Sequence, residues 1–584
     1  MALVATLLAY HRGLHFSFAL DDYTYLFRAA GIDAAPFELR RWLTVRVFYE
    51  LGLRLFGVDS TLRWHLLTWT LHVANAVWVF LLGRRLGVTR LAAWLAGGLF
   101  AASPVDFTVL YWVAGVQEIA SACFVLAATW VALRADRARW LAVPLFALAM
   151  LCKESVLAFP LALAGLLGRR GLRLAGAMLA TGVVLFLASG LQHRMFDTRG
   201  TSPYATSSGM SLLVNLATLV TWFAAPWHPY PDRIASPNPA LVPWAFGIVG
   251  FGAAALLVNR RRGARAVGLA ALWFVALLLP VLPLRTHSYA YYLYLPQIGF
   301  LLLVAVAVEG VAQRLAGTDR AAEPTRPKRG APPAGAQPAA TSPPARESQR
   351  GLAFPAVAAL LTLAGCVTFA SRNSRIHETL MLGTSDVPHD SVVRYSRVSG
   401  DVVAQVRSAP FPASVHRVAL LGYTQPGAAA HTPGATNVPE SKRIQIQPIR
   451  MALQEGKLLR LHLPKLEGGF VDSLTERDES PDTAIFFASG LSHLEYIADP
   501  AEAYAMVAQA CLVTNRVADA ERPLRRALAL RPEHPVARIL LSGLRAESGD
   551  LPEAKSLLAA VNPAKVPEAL RPYYTQLKSQ LEHP

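Results

Sequence analysis

The chain carries a series of apolar runs separated by short arginine clusters, and this pattern restricts it to a membrane-spanning helical fold. Crossing a hydrocarbon core takes about 20 apolar residues in a helix. Runs of that kind lie at Leu62–Leu82, Leu91–Leu110, Gly115–Leu133, Leu174–Leu191, Ala240–Val258, Ala266–Leu284, Tyr289–Val308 and Gly351–Ala370. Hydrophobic residues make up 53% of the sequence and charged residues 16%, which excludes an ordinary soluble chain. The formal charge of +17 would suit nucleic acid, but the arginines fall in the gaps between apolar runs. Arg84/Arg85, Arg134/Arg137/Arg139, Arg169/Arg170/Arg173, Arg260/Arg261/Arg262/Arg265 and the linker after Gln313 all fit one cytoplasmic side. The charge therefore reports topology. No basic patch with interleaved aromatics is present, so nucleic acid is not an expected partner.

Two segments resist simple threading. Trp140–Leu167 must enter and leave on the same side, which predicts two short helices turning near Lys153-Glu154. Ser211–Trp227 cannot be a full span without moving Arg260–Arg262 outside, so it reads as an interfacial or re-entrant helix ending at Pro226-Trp227-His228-Pro229. Met1–Tyr10 supplies about half the length of a span. Either it continues through His11–Leu20 or the true start lies upstream, and the truncated start is the expectation. Residues 318–350 are rich in Pro, Ala and Arg without periodicity, which predicts a disordered cytoplasmic linker. Four cysteines lie far apart with neither metal nor disulfide spacing, and the N-terminus lacks the pattern of a cleavable signal peptide.

After Ala370 the apolar runs stop, so residues 371–584 are expected to form a soluble region on the outer side. Asn515–Glu521 aligns with Gly549–Lys555 at the 34-residue tetratricopeptide period. Ala508, Ala520, Ala527 and Pro532 fall at that repeat's small and proline positions. Two copies, about 501–568, are too few for a free-standing solenoid and must pack on neighbouring helices. A plain pair of helical hairpins is the alternative. Residues 371–500 read as a small α/β module with strand-like stretches at Val415–Tyr423, Leu458–Leu463 and Thr483–Ser489.

Asp21 and Asp22 stand at the outer end of the first apolar segment. Carboxylates beside hydrocarbon are costly, so they form a functional-site hypothesis. One could be a general base tuned by its like-charged neighbour. They could equally be a solvated acid pair in a loop. Glu118 can favour a helix dipole. Lys153 can meet a phosphate as a point charge, or pair internally with Glu154. His65 and His72 share a helical face, and without a third ligand they read as packed and hydrogen-bonded.

In order and spacing these residues resemble the GT-C superfamily of polyprenyl-phosphate-sugar glycosyltransferases, above all protein O-mannosyltransferases of the transmembrane-and-tetratricopeptide-repeat type. The likeness runs over about residues 15–310 and the C-terminal repeats. It rests on Asp21-Asp22, on Trp64 through Ala76 with its histidines, and on Ser103-Pro104-Val105-Asp106 through Glu118. It rests also on Leu151-Cys152-Lys153-Glu154-Ser155, and on Arg285-Thr286-His287 through Tyr294-Leu295-Pro296 and Gly299. The family's His-Pro is Ser-Pro here, an expected Glu is Thr108, and Ala290-Tyr291 replace a Glu-Arg.

The resemblance implies Asp21 as base with Asp22 beside it, and Lys153, Arg285 and His287 on the lipid phosphate. It gives Glu118 and Glu154 a substrate or metal role, with a divalent metal as the one conceivable cofactor. The tyrosines after His287 can also serve as an interfacial belt.

The expected fold is therefore mainly α: a polytopic GT-C-like membrane domain (1–315), a linker (316–350), a last transmembrane helix (351–370), the outer α/β module (371–500) and tetratricopeptide-like repeats (501–584). The expected activity is transfer of a hexose, mannose by analogy, from a polyprenyl-phosphate-linked sugar donor to a hydroxyl on a protein or glycan acceptor. The expected setting is a bacterial inner membrane, with its lipids around the spans and the C-terminal region periplasmic. A flippase of lipid-linked sugars would call for internal repeats among the spans, which are not apparent. An inactive scaffold working through its repeats is the third reading.

Overall fold

The computed structural model describes residues 1–34, 36–196, 204–224, 260–284, 289–316, 346–381, 388–421, 447–471, 473–488, 492–513 and 515–582. They fall into two units. One comprises Met1–Phe16, Asp33–Leu380 and Asp390–Val393, and the other Ser17–Ile32, Met381–His389 and Arg394–Pro584.

The first unit is helical. Among the described residues, six helical stretches are long and apolar enough to cross a membrane: Thr61–Arg85, Arg90–Tyr111, Val113–Ala132, Glu154–Ala188, Ile298–Leu315 and Ala353–Thr379. The Thr61–Arg85 helix shows why this is a membrane protein. At 1.5 Å per residue it is about 37 Å long, enough to cross the core. Its polar residues His65, Thr68, His72 and Asn75 are fully buried, while Leu66 and Val77 are each 47% exposed. A water-soluble helix would show the opposite distribution, and a lipid-facing one shows this. The chain is an integral membrane protein.

The helix Arg90–Ala101 crosses Thr61–Arg85 closely because Gly97 has no side chain. A Cβ at that position would lie 2.8 Å from the Ala76 carbonyl oxygen. Such small-residue contacts let helices pack without a hydrophobic driving force.

The short first helix, Ala2–Tyr10, is followed by a 3-10 turn, His11–His15. Trp140–Leu167 does contain two short helices, Ala142–Cys152 and Phe159–Leu167, interrupted at Lys153. The anticipated run Ala266–Leu284 corresponds to a helix that begins earlier, at Arg260, and stops at Leu278. The run Tyr289–Val308 is displaced. Ala290–Leu293 is a 3-10 turn, and the helix occupies Ile298–Leu315. Pro296 explains this, since a proline removes a backbone donor and clashes with the preceding turn, so a regular helix starts after it. The last helix, Arg346–Thr379, begins inside the expected linker and runs beyond Ala370. The expected span at 240–258 and most of the linker (317–345) lie outside the described residues. Of Ser211–Trp227, the described part is a helix, Met210–Ala224, too short to cross a bilayer.

The second unit has a four-stranded sheet in the order β2-β1-β3-β4. Here β1 is Arg417–Leu421, β2 Glu467–Val471, β3 Thr483–Ala488 and β4 Leu494–Ile497. The first three are parallel, with Arg417 opposite both Glu467 and Thr483, and β4 runs antiparallel to β3. The stretches at 415–423 and 483–489 thus hold strands as expected. Leu458–Leu463 does not: Lys457–His462 is a helix, and the neighbours Leu458 and Leu459 are both buried. Adjacent residues of a strand point to opposite faces, so this pair suits a helix set into a core. Ser17–Ile32, expected inside the 1–315 membrane domain, packs in this second unit, where Ser399 Oγ donates to the Phe18 carbonyl at 3.0 Å.

The chain ends in paired helices, Pro500–Val513 with Val517–Leu530 and Pro535–Glu547 with Leu551–Ala559, then Arg571–Glu582. The turn inside each pair contains a left-handed residue, Asn515 (φ 61°) and Gly549 (φ 85°), and so repeats at the sequence period. Ala508, Ala520 and Ala527 are fully buried where the helices touch.

Arg526 links the repeats to the sheet by a two-pronged pair with Glu479, at 2.8 and 2.7 Å, and Tyr504 donates to the same carboxylate. The Arg526 hydrogen bonds hold the Glu479 carboxyl below its ordinary value. Its stabilisation is therefore complete above about pH 4.3 and disappears as pH falls through the lowered value.

Two outcomes follow. Gly97→Val should cost about 1–3 kcal/mol by overpacking the helix crossing, seen as earlier thermal unfolding of the detergent-solubilised protein. Glu479→Gln should lower the melting temperature at pH 7, and the deficit against wild type should narrow below pH 4; a constant deficit across that range would refute the assignment.

Candidate functional site

Arg41, Glu118, Lys153 and Glu154 meet where the Ala142–Cys152 helix is broken. The Ala142–Cys152 helix ends at Lys153, whose backbone is extended (φ −158°, ψ 128°), and a 3-10 turn, Glu154–Val156, follows. Thr44 Oγ1 donates to the Cys152 carbonyl at 2.8 Å, tying this break to the segment that begins at Arg41. Arg41 is itself left-handed (φ 53°), a conformation a non-glycine residue holds only when its surroundings require it.

Two ion pairs result. Lys153 Nζ lies 3.1 Å from Glu118 Oε1, on the first turn of the Val116–Ala132 helix. The same ammonium stands over the rings of Tyr291 and Tyr292, at 5.1 and 5.6 Å from their centroids. The Arg41 guanidinium grips Glu154 with two N–H groups, Nε donating to Oε2 at 2.8 Å. Arg40 lies over the Tyr204 ring and 4.0 Å from Glu38. Paired charges of this kind survive burial only together, because removing one partner strands the other in a low-dielectric medium. The sequence also allows an internal Lys153–Glu154 pair, and the structure corrects this: each residue pairs with a side chain from elsewhere in the chain.

A cavity of about 260 Å³ opens beside these pairs. Arg41, Lys153, Glu154, Tyr204 and Tyr292 make its polar wall. Leu157, Phe186, Leu191, Leu279 and Leu284 are among the apolar residues that complete it. One polar end on an otherwise apolar chamber suits an amphiphile with an anionic head.

Of the anticipated site residues, Lys153, Glu118 and Glu154 are brought together. Arg285 and His287 lie outside the described residues, and the neighbouring Leu284 lines the cavity. Asp21 and Asp22 belong to the second unit, where they open the helix Asp21–Ala29. Leu20 before them is left-handed (φ 54°), which turns the chain sharply into the acid pair. Asp22 is fully buried and its Oδ2 accepts the Ala19 N–H at 2.9 Å, while Asp21 is exposed. The two carboxylates are thus unequal, one holding the backbone turn and the other facing outward.

Arg41 was not anticipated. It follows Arg40 in the one arginine pair between Asp21 and Leu62, on the side the threading assigns as outer, so topology gives it no reason to be there. That excess was its available signal.

The other motif residues pack. His72 Nε2 lies 3.3 Å from the Ala101 carbonyl, which fixes that nitrogen as the donor in the neutral ring and lets Nδ1 accept from Tyr294 OH at 2.8 Å. Gln297 donates to Asp106 at 2.7 Å and accepts from Ser103. Among the described residues no three His, Cys, Asp or Glu side chains converge as a metal site would require.

A tetratricopeptide-repeat family model matches residues 515–581. No curated protein and no solved structure matches the chain.

The ion pairs predict strong coupling. Lys153→Met and Glu118→Gln should each destabilise the protein by about 3–5 kcal/mol, and the double variant by clearly less than their sum. Additive losses in detergent unfolding would show that the pair is not energetically real.

Proposed function

We propose that this protein is a membrane glycosyltransferase that moves a hexose from a polyprenyl-phosphate donor to an acceptor hydroxyl. The observation that carries this reading is the cavity, whose wall combines Arg41 and Lys153 with lipid-like apolar surface. A donor phosphate would meet the two cations, and its first isoprene units would lie along Phe186, Leu191 and Leu279. Mannose is the sugar favoured by the family resemblance.

In the proposed reaction, with the base assigned by the family resemblance alone, the acceptor hydroxyl gives its proton to Asp21 as its oxygen bonds to the anomeric carbon. The bond from that carbon to the phosphate oxygen breaks, and the polyprenyl phosphate leaves with the electron pair. Fixed cations stabilise the charge that develops on the leaving group. Lys153 and Arg41 are assigned that role, with Arg285 and His287 added by the resemblance. Asp22 holds the turn from which Asp21 acts. The tetratricopeptide segment favours a protein acceptor, a Ser or Thr on an exported chain, since helical repeats present extended surfaces to other chains. A bacterial inner membrane with the acceptor on the periplasmic side is the setting this implies.

The deciding experiment supplies the detergent-solubilised protein with a radiolabelled polyprenyl-phosphate hexose and an acceptor peptide. Wild type should transfer sugar, and Asp21→Asn should be slower by roughly 10²–10⁴-fold, the usual worth of a positioned base. Equal rates would remove Asp21 from the mechanism, and no transfer by the wild type would favour a scaffold.

A further inference from the structure

Glu154 stands where the anion of a ligand would be expected. Its carboxylate lines the cavity beside Lys153, and both its oxygens are held by the Arg41 fork. Glu118, 3.1 Å from Lys153, is not part of the wall formed by the described residues. The two carboxylates therefore differ in place: Glu118 backs the lysine, and Glu154 faces the space a ligand would enter.

The charge count gives this difference a consequence. Within the two ion pairs, Arg41 and Lys153 are matched by Glu154 and Glu118, all four nearly buried. A phosphate beside matched pairs gains little from them while both cations stay engaged, and charge in a medium of low dielectric needs a direct partner. To bind the Arg41 fork it must take the place of the Glu154 carboxylate. A guanidinium fork takes two oxygens of a phosphate in the same geometry as two of a carboxylate. Glu154 is the first residue of a three-residue 3-10 turn, directly after an extended residue, at the very start of the helical stretch that ends at Ala188.

We propose that Glu154 is an internal counter-ion that holds the phosphate position on Arg41 in the unliganded protein and is displaced by the phosphate of the incoming lipid. This rests on reading the cavity as a polyprenyl-phosphate site. The exchange keeps Arg41 paired in both states, so the empty site is stable, and affinity is set by the difference between two anions on one fork. A phosphate-free prenyl chain, having nothing to exchange, gains no such contact.

The test measures binding of three probes to the full-length protein in detergent: farnesyl phosphate, farnesol and inorganic phosphate. Glu154→Gln keeps the size of the side chain and removes the competing charge. It should bind farnesyl phosphate roughly tenfold or more tightly than wild type, with farnesol unchanged. The ligand-induced rise in melting temperature should grow accordingly. A parallel gain for inorganic phosphate would support the proposal and show that the anion alone is recognised. Unchanged or weaker binding of farnesyl phosphate, or an equal gain for farnesol, would overturn it. Should Glu154→Gln not fold, Glu154→Asp keeps the charge but retracts it from the fork; tighter binding than wild type supports the exchange, and equal or weaker binding refutes it. Wild type binding none of the three probes would instead defeat the reading of the cavity itself, and the counter-ion role with it.

Discussion

A hydrocarbon interior does not tolerate a charge without a partner, and the membrane unit is organised around that intolerance. Arg41, Glu118, Lys153 and Glu154 come from three separated parts of the chain, yet none could be buried alone. The pairs meet where the Ala142–Cys152 helix stops and where Arg41 turns left-handed. The breaks at Lys153 and Arg41 thus coincide with the charges that furnish the polar wall of the cavity. Polar backbone freed at such a break is satisfied locally, as Thr44 does for the Cys152 carbonyl.

The same rule shapes the rest of this unit. His65, His72, Asn75, Asp106 and Gln297 are buried and hydrogen-bonded, while Leu66 and Val77 of the Thr61–Arg85 helix face outward. Buried polar links between helices replace the hydrophobic drive that lipid removes. The histidines and the Ser-Pro motif, which the family resemblance drew attention to, spend their hydrogen bonds on packing. The cavity wall, by contrast, presents Arg41, Lys153 and Glu154 to open space.

The second unit is built around a sheet and paired helices. Its sheet buries Val418 through Leu421, and its helical repeats meet through fully buried alanines. The acid pair Asp21-Asp22 belongs here and shows how one motif divides its work. Asp22 is consumed by the turn that Leu20 begins, and Asp21 stays exposed. The two neighbours are unequal in space, because the Asp22 carboxylate reaches back to the Ala19 N–H.

What the sequence determined by itself was set by local periodicity. Apolar run length specified the spans from Leu62 to Leu133, the 34-residue period specified the repeats, and Lys153 inside an apolar run marked a broken helix. Where two structures satisfy the same local pattern, sequence could not choose. Leu458–Leu463 suited a strand or a short helix, and the burial of both Leu458 and Leu459 decided for the helix. Tyr289–Val308 was apolar apart from Gln297, and the proline within it moved the helix onward. The partners of the buried charges were beyond any local reading, since Arg41 and Glu154 are 113 residues apart. Coulomb attraction depends on distance in space and carries no trace of separation along the chain, so only the tertiary structure could assign Glu118 to Lys153 and Glu154 to Arg41.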